Sequence, residues 1–150
     1  MLGIQKIDVQ QSFNRNLVFI HFRDEILKTE FTYYPFPQLE SPRLVSNLHV
    51  DSLRDIAVNK IFTIYQRPQS RDFIDLYLIM TQQHWELKDL RASARVKFDS
   101  PIDPLQLAQQ LLEAATIADL PHMLHPLPGK TWRSFWLEQA KALKSDVLKP

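Results

Sequence analysis

The 150 residues contain no cysteine and only two glycines, Gly3 and Gly129. Without thiols the chain can form neither a disulfide framework nor a thiolate metal site. Two isolated glycines cannot build the loops that cradle phosphates in P-loop and dinucleotide-binding proteins. Any ligand must therefore be met by side chains and helix termini. No apolar run approaches the ~18 residues that a membrane span needs, and the opening MLGIQKIDVQQ lacks the basic-then-apolar layout of a secretion signal. These absences predict a cytoplasmic protein with no membrane partner. Charge of one sign is also missing: 18 Lys and Arg against 17 Asp and Glu leave a net charge of +1, so bulk electrostatics do not announce a nucleic-acid binder.

What is present suits one globular domain, with 45% hydrophobic and 23% charged residues. The first third reads as strand. QKIDVQ (5–10) alternates, RNLVFIHF (15–22) is rich in β-formers, and EILKTEFTYY (25–34) alternates again. The links QSFN and RDE are short enough for hairpins, so an antiparallel meander is expected. In the third strand Ile26, Lys28, Glu30 and Thr32 share one face. Leu27, Thr29, Phe31 and Tyr33 share the other, taken as the core side. PFPQLESPRL (35–44) carries three prolines and reads as a loop or extended crossing.

Helical patterns follow. Asp51 or Ser52 caps a helix to about residue 66, and Ser70 caps a second to about residue 83. Residues 85–98 fit a third, and Asp103 with Pro104 opens a fourth. Thr131 starts the last. The fold class is α+β: a small antiparallel sheet over 1–50, then a helical bundle over 51–150, packed as one compact unit.

The first two helices carry misplaced charges. At about 100° per residue, Leu53, Ile56, Ala57, Ile61 and Ile64 form an apolar arc, and Lys60 lies within it. Phe73, Leu76, Ile79 and Met80 form the arc of the second helix, with Asp72 inside it and Asp75 at its edge. A lone buried charge costs several kcal/mol, so Lys60 is expected to meet Asp72 or Asp75 across a helical hairpin. That pair is either a structural lock or the polar centre of a ligand site, with Arg67 and Arg71 placed for phosphate oxygens. Elsewhere, Trp132 and Trp136 read as core contacts. Arg91, Arg95 and Lys97 read as a solvated face, with RNA contact as the alternative. His122 and His125 flank a loop that lacks a carboxylate partner for a metal site.

The stretch DSLRDIAVNKIFTIYQRPQSRDFIDLYLIM (51–80) resembles the C-terminal motif of the AbiEii/AbiGii toxin family of nucleotidyltransferases. The matching residues are Asp55, Ala57, Lys60, Arg67, Arg71, Asp72, Asp75, Leu76 and Tyr77. ILKTEFTYYPFPQLESP upstream and LLEAATIADLPHMLHPLPGKTWRSFWLEQA downstream are similar to the family's flanks, over about residues 15 to 140. The resemblance implies a polymerase-β-like fold and transfer of a nucleoside monophosphate from an NTP to an RNA or protein acceptor, with Mg²⁺ ions held by acidic residues. It assigns Lys60, Asp72 and Asp75 to catalysis, Arg67 and Arg71 to the nucleotide, and Glu30 to the metal.

The same resemblance calls for a Gly-Gly or Gly-Ser turn followed by an Asp-x-Asp pair upstream. The first aspartate here is Asp8, in IDVQ, and RDE at 23–25 follows a strand rather than a glycine turn. The expectation is an N-terminally truncated member, inactive as this chain, because one carboxylate cannot hold two Mg²⁺ ions. An exposed sheet edge would then recruit a second copy or a partner chain. A non-catalytic interaction module or antitoxin-like partner is the alternative.

Overall fold

A computed structural model describes residues 3–147 of the chain. The fold is α+β, as the order of strand and helix patterns implied. It divides into two compact units, with the boundary between Phe36 and Pro37.

The first unit is an antiparallel sheet of β1 (Lys6–Ser12), β2 (Arg15–His21) and β3 (Ile26–Thr32), in the order β1-β2-β3. Asn14 closes the first hairpin in the left-handed region, with φ 59°, a conformation Asn tolerates better than most residues. The Phe22 amide donates to the Glu25 carbonyl at 2.8 Å across the second turn. The register pairs Ile7 with Ile20 and Val18 with Thr29, so Ile7, Val9, Val18, Ile20, Leu27 and Phe31 share one face. Burial concentrates on the central strand. Leu27 and Phe31, expected on a core side, are 51% and 62% exposed, because an edge strand has a neighbour on one side only.

The second unit opens with an extended segment and a hairpin absent from the sequence reading, β4 (Arg43–Val45) and β5 (Leu48–Val50). Ser46 and Asn47 both take positive φ, 46° and 68°, as a two-residue type I′ turn requires. The pair lacks the glycine that usually signals this turn; the sequence reading gives 35–44 as a loop or extended crossing and assigns nothing to 45–50. They group with the helices, so the division falls at 36/37 rather than 50/51.

Helix α1 (Leu53–Gln66) is capped by Ser52, whose hydroxyl accepts from the Asp55 amide at 2.9 Å. Helices α2 (Ser70–Gln83), α3 (Leu87–Phe98) and α4 (Pro104–Leu112) follow, then a 3₁₀ turn (Glu113–Ala115) and α5 (Gly129–Val147), which begins two residues before Thr131. Asp103 caps α4, accepting from the Gln106 amide at 2.8 Å. Ile61, Ile64, Phe73, Leu76, Leu90, Leu107, Leu111, Trp132 and Trp136 are fully buried. At about 1.5–3 kcal/mol per large apolar side chain, they dominate the stability of this unit. Trp136 also donates its indole N–H to the Phe73 carbonyl at 3.0 Å, so both tryptophans serve packing. Among the described residues no helix is long and apolar enough to cross a membrane.

Ser70 does not cap α2. It is the first helical residue, and the cap position falls on Gln69, which makes no side-chain capping bond. The cap comes from 49 residues downstream: Asp119 Oδ1 accepts from the Ser70 amide at 3.2 Å, and the buried Ser70 hydroxyl donates to the Asp119 carbonyl at 2.6 Å. Asp119→Ala is expected to lower stability by about 1 kcal/mol, as for a lost N-cap, with Asp119→Asn retaining most of it. Urea unfolding of the two variants checks this.

Candidate functional site

The turn at 67–69 folds α2 back on α1 and brings the misplaced charges together. Lys60 Nζ donates to Asp72 Oδ1 at 2.9 Å and to Asp75 Oδ2 at 2.7 Å. The side chains differ in exposure: 23% for Lys60, 6% for Asp72 and 47% for Asp75. Burial alone would draw the Lys60 ammonium toward the neutral amine. Hydrogen bonds to Asp75 and Asp72, and their charges, outweigh that and hold it above the usual lysine value. The sequence reading named either aspartate as partner, and both serve.

One atom of the cluster is unsatisfied. Asp72 Oδ2 is buried and accepts no hydrogen bond, a costly state for an ionised oxygen at low dielectric. Beside the cluster, Arg67 forms the C-cap of α1 and Arg71 lies in the first turn of α2. Both are exposed, and neither pairs with a carboxylate among the described residues. Arg71 stands at the positive end of the α2 dipole, where a cation is disfavoured by about 0.3–1 kcal/mol.

Glu30 belongs to the sheet unit. Arg15 Nη1 lies 3.5 Å from its Oε1, and the Thr32 hydroxyl donates to the same oxygen at 3.3 Å. Among the described residues no group of three or more His, Asp or Glu converges as a metal site. The described residues therefore do not by themselves fit a pair of Mg²⁺ ions, which need several carboxylate oxygens.

A second charged cluster went unrecognised in the sequence. Lys97 Nζ donates to Asp55 Oδ1 at 2.6 Å, with side-chain exposures of 1% and 0%. Asp55 also accepts from the Leu39 amide at 2.9 Å, the Glu40 amide at 3.2 Å and the Ser52 hydroxyl at 2.8 Å. Burial pushes the Asp55 carboxyl up, but Lys97 and these donors prevail and hold it at about 2. The reading of Lys97 as part of a solvated face is thus corrected. It lies seven residues after Leu90 and three after Ala94, on the buried stripe of α3; that helical spacing was the available signal. The cluster fastens residues 39–40 and α3 to the start of α1.

This architecture is that of a nucleotidyltransferase-type fold. JHP933 from Helicobacter pylori superposes over 96% of this chain and 65% of its own, with TM-score 0.54 and 18% identity. A second Helicobacter pylori structure, provisionally called a nucleotidyltransferase, matches over 98% of this chain and 69% of its own at the same TM-score and identity. The family described as "Nucleotidyl transferase AbiEii toxin, Type IV TA system" matches residues 14–146, and the chain belongs to that family. An uncharacterized Aquifex aeolicus protein, aq_aa25, is 34% identical over 74 residues, which are 48% of this chain. The match spans 36% of that relative's length.

Proposed function

We propose that this chain supplies the helical, nucleotide-facing part of a nucleotidyltransferase centred on Lys60, Asp72 and Asp75. The supporting observation is the Lys60 ammonium held between two carboxylates while Asp72 Oδ2 stays buried and unpartnered. A cation fixed in this way can neutralise charge developing on phosphate oxygens, and Lys60 and Asp75 are the members of the cluster that reach solvent. The unpaired guanidinium groups of Arg67 and Arg71 match the fork geometry of phosphate.

In the complete reaction an acceptor hydroxyl, on RNA or protein, attacks the α-phosphorus of an NTP. The nucleoside monophosphate joins that oxygen, pyrophosphate leaves, and the hydroxyl proton passes to solvent. Mg²⁺ chemistry would need acidic residues beyond those that converge here, from a further stretch of polypeptide carrying the Gly-Ser turn and Asp-x-Asp pair, so the 150 residues alone are expected to be inactive. The edge strands β1 and β3 are where a second copy or partner chain would add. A second reading, a non-catalytic interaction module or antitoxin-like partner, is favoured by the engagement of Glu30 with Arg15.

NMR titration of the chain with each Mg·NTP tests the proposal. At least one nucleotide is expected to shift the resonances of Lys60 and Arg71. Arg71→Ala should weaken that binding roughly tenfold, the size of one lost charge-assisted contact. No response to any of the four nucleotides sinks the nucleotide reading and leaves the interaction module.

A further inference from the structure

Helix α3 carries two unlike stripes. Leu87, Leu90, Ala94 and Phe98 are buried in the core. On the adjoining stripe stand Lys88, Arg91 and Arg95, three and four residues apart. Like charges at those spacings repel along a helix, and Lys88, the second helical residue, also faces the positive end of the macrodipole. Arg95 lies in the last turn, where the dipole favours a cation, so the unfavourable placement falls on Lys88 and its neighbour Arg91.

The local partners offset little of this. Lys88 meets the exposed Glu86 at 2.8 Å, a contact of small value in water, and feels the charge of Asp89. Arg91 donates through Nη2 to the Ile102 carbonyl at 3.3 Å, and its Nε is buried without an acceptor. Arg95 is exposed and pairs with no carboxylate among the described residues. The three cations line a hollow of about 310 Å³ with Ala92, Pro101 and Ile102, and no acidic side chain borders it. A second hollow of about 300 Å³ shares Lys88 and Arg91 and is bordered by Trp85 and Phe135, with Glu86, the partner of Lys88, at its rim.

We infer that this face of α3 seats a single-stranded nucleic acid, with consecutive phosphates on Lys88, Arg91 and Arg95 and a base in the hollow beside Trp85. From Lys88 to Arg95 the helix rises about 10 Å, a span for more than one phosphate, which favours a strand over a lone anion. Aromatic rings beside cations stack unpaired bases without regard to sequence, and a duplex has none to offer. The inference stands independently of the Lys60 cluster, which lies on α1 and α2.

Fluorescence anisotropy of a fluorescein-labelled oligouridylate, titrated with the full chain at low and moderate salt, tests it. Binding is expected to weaken steeply with salt. Arg95→Glu and Lys88→Glu should each weaken it roughly tenfold and reduce the salt slope by about one. Arg95→Lys should stay near wild type, as should Lys141→Glu on α5, which reverses an exposed charge elsewhere. Arg95→Glu should still respond to Mg·NTP as wild type does, so failure here and failure of the nucleotide reading are separable. The inference is overturned if no salt-dependent binding occurs, or if the α3 reversals bind like wild type. Equally tight binding of duplex overturns it, and so does displacement of the oligonucleotide by ATP at matched phosphate concentration, which would mark a nucleotide pocket.

Discussion

Replacing Lys97 by methionine is expected to lower the unfolding free energy by about 3–5 kcal/mol. Methionine fills similar volume, so little of the loss comes from packing. The cost is electrostatic: Asp55 stays fully buried and loses the ammonium that neutralises it. Removing both charges with Lys97→Met and Asp55→Leu should recover little, because the Leu39 and Glu40 amides and the Ser52 hydroxyl would then lose their acceptor. Urea unfolding at neutral pH of the two single variants and the double gives both answers.

The same cluster sets an acid limit. The Asp55 carboxyl is held at about 2 in the folded chain against an ordinary 3.8. A depressed carboxyl contributes stability that is fully present above the unfolded value and lost as pH falls through the folded one. The wild type should thus lose roughly 2 kcal/mol between about pH 4 and pH 2 from this group. Asp55→Asn should flatten that part of the profile.

The two charged clusters also show what the sequence could disclose. Lys60, Asp72 and Asp75 were legible because each interrupts an apolar arc of a helix whose partner helix follows after a short turn. Asp55 and Lys97 lie 42 residues apart on helices that are not consecutive, and Asp55 is satisfied by amides of an irregular segment. Periodicity places Lys97 on the buried stripe, yet nothing local says what it meets. The caps at Ser52 and Asp103 were readable because a cap is a contact over three residues. Asp119 capping α2 was not, because that cap is tertiary. The β4–β5 hairpin was hidden by a Ser-Asn turn and strands of three residues each, too short for alternation to register. In the sheet, strand order and hairpins followed from link lengths, whereas the buried face of β3 did not, since alternation marks two faces without saying what covers either.

Lys60→Met is expected to cost about 3–5 kcal/mol as well, but its signature should differ from that of Lys97→Met. Asp75 is half exposed and can turn to water, whereas Asp72 is buried with one oxygen already unpartnered. Loss of the ammonium leaves that buried carboxylate without its cation. Adding Asp72→Leu should restore much of the loss, because no backbone donor relies on either Asp72 carboxylate oxygen and apolar replacements for a buried pair are often neutral or better. That rescued Lys60→Met/Asp72→Leu protein separates two roles that single substitutions confound. If it folds like wild type and no longer responds to Mg·NTP, the cluster serves the nucleotide, since its structural contribution has been replaced. If it folds and still binds with unchanged affinity, the three charges only lock the α1–α2 hairpin, and nucleotide recognition must rest with Arg67 and Arg71.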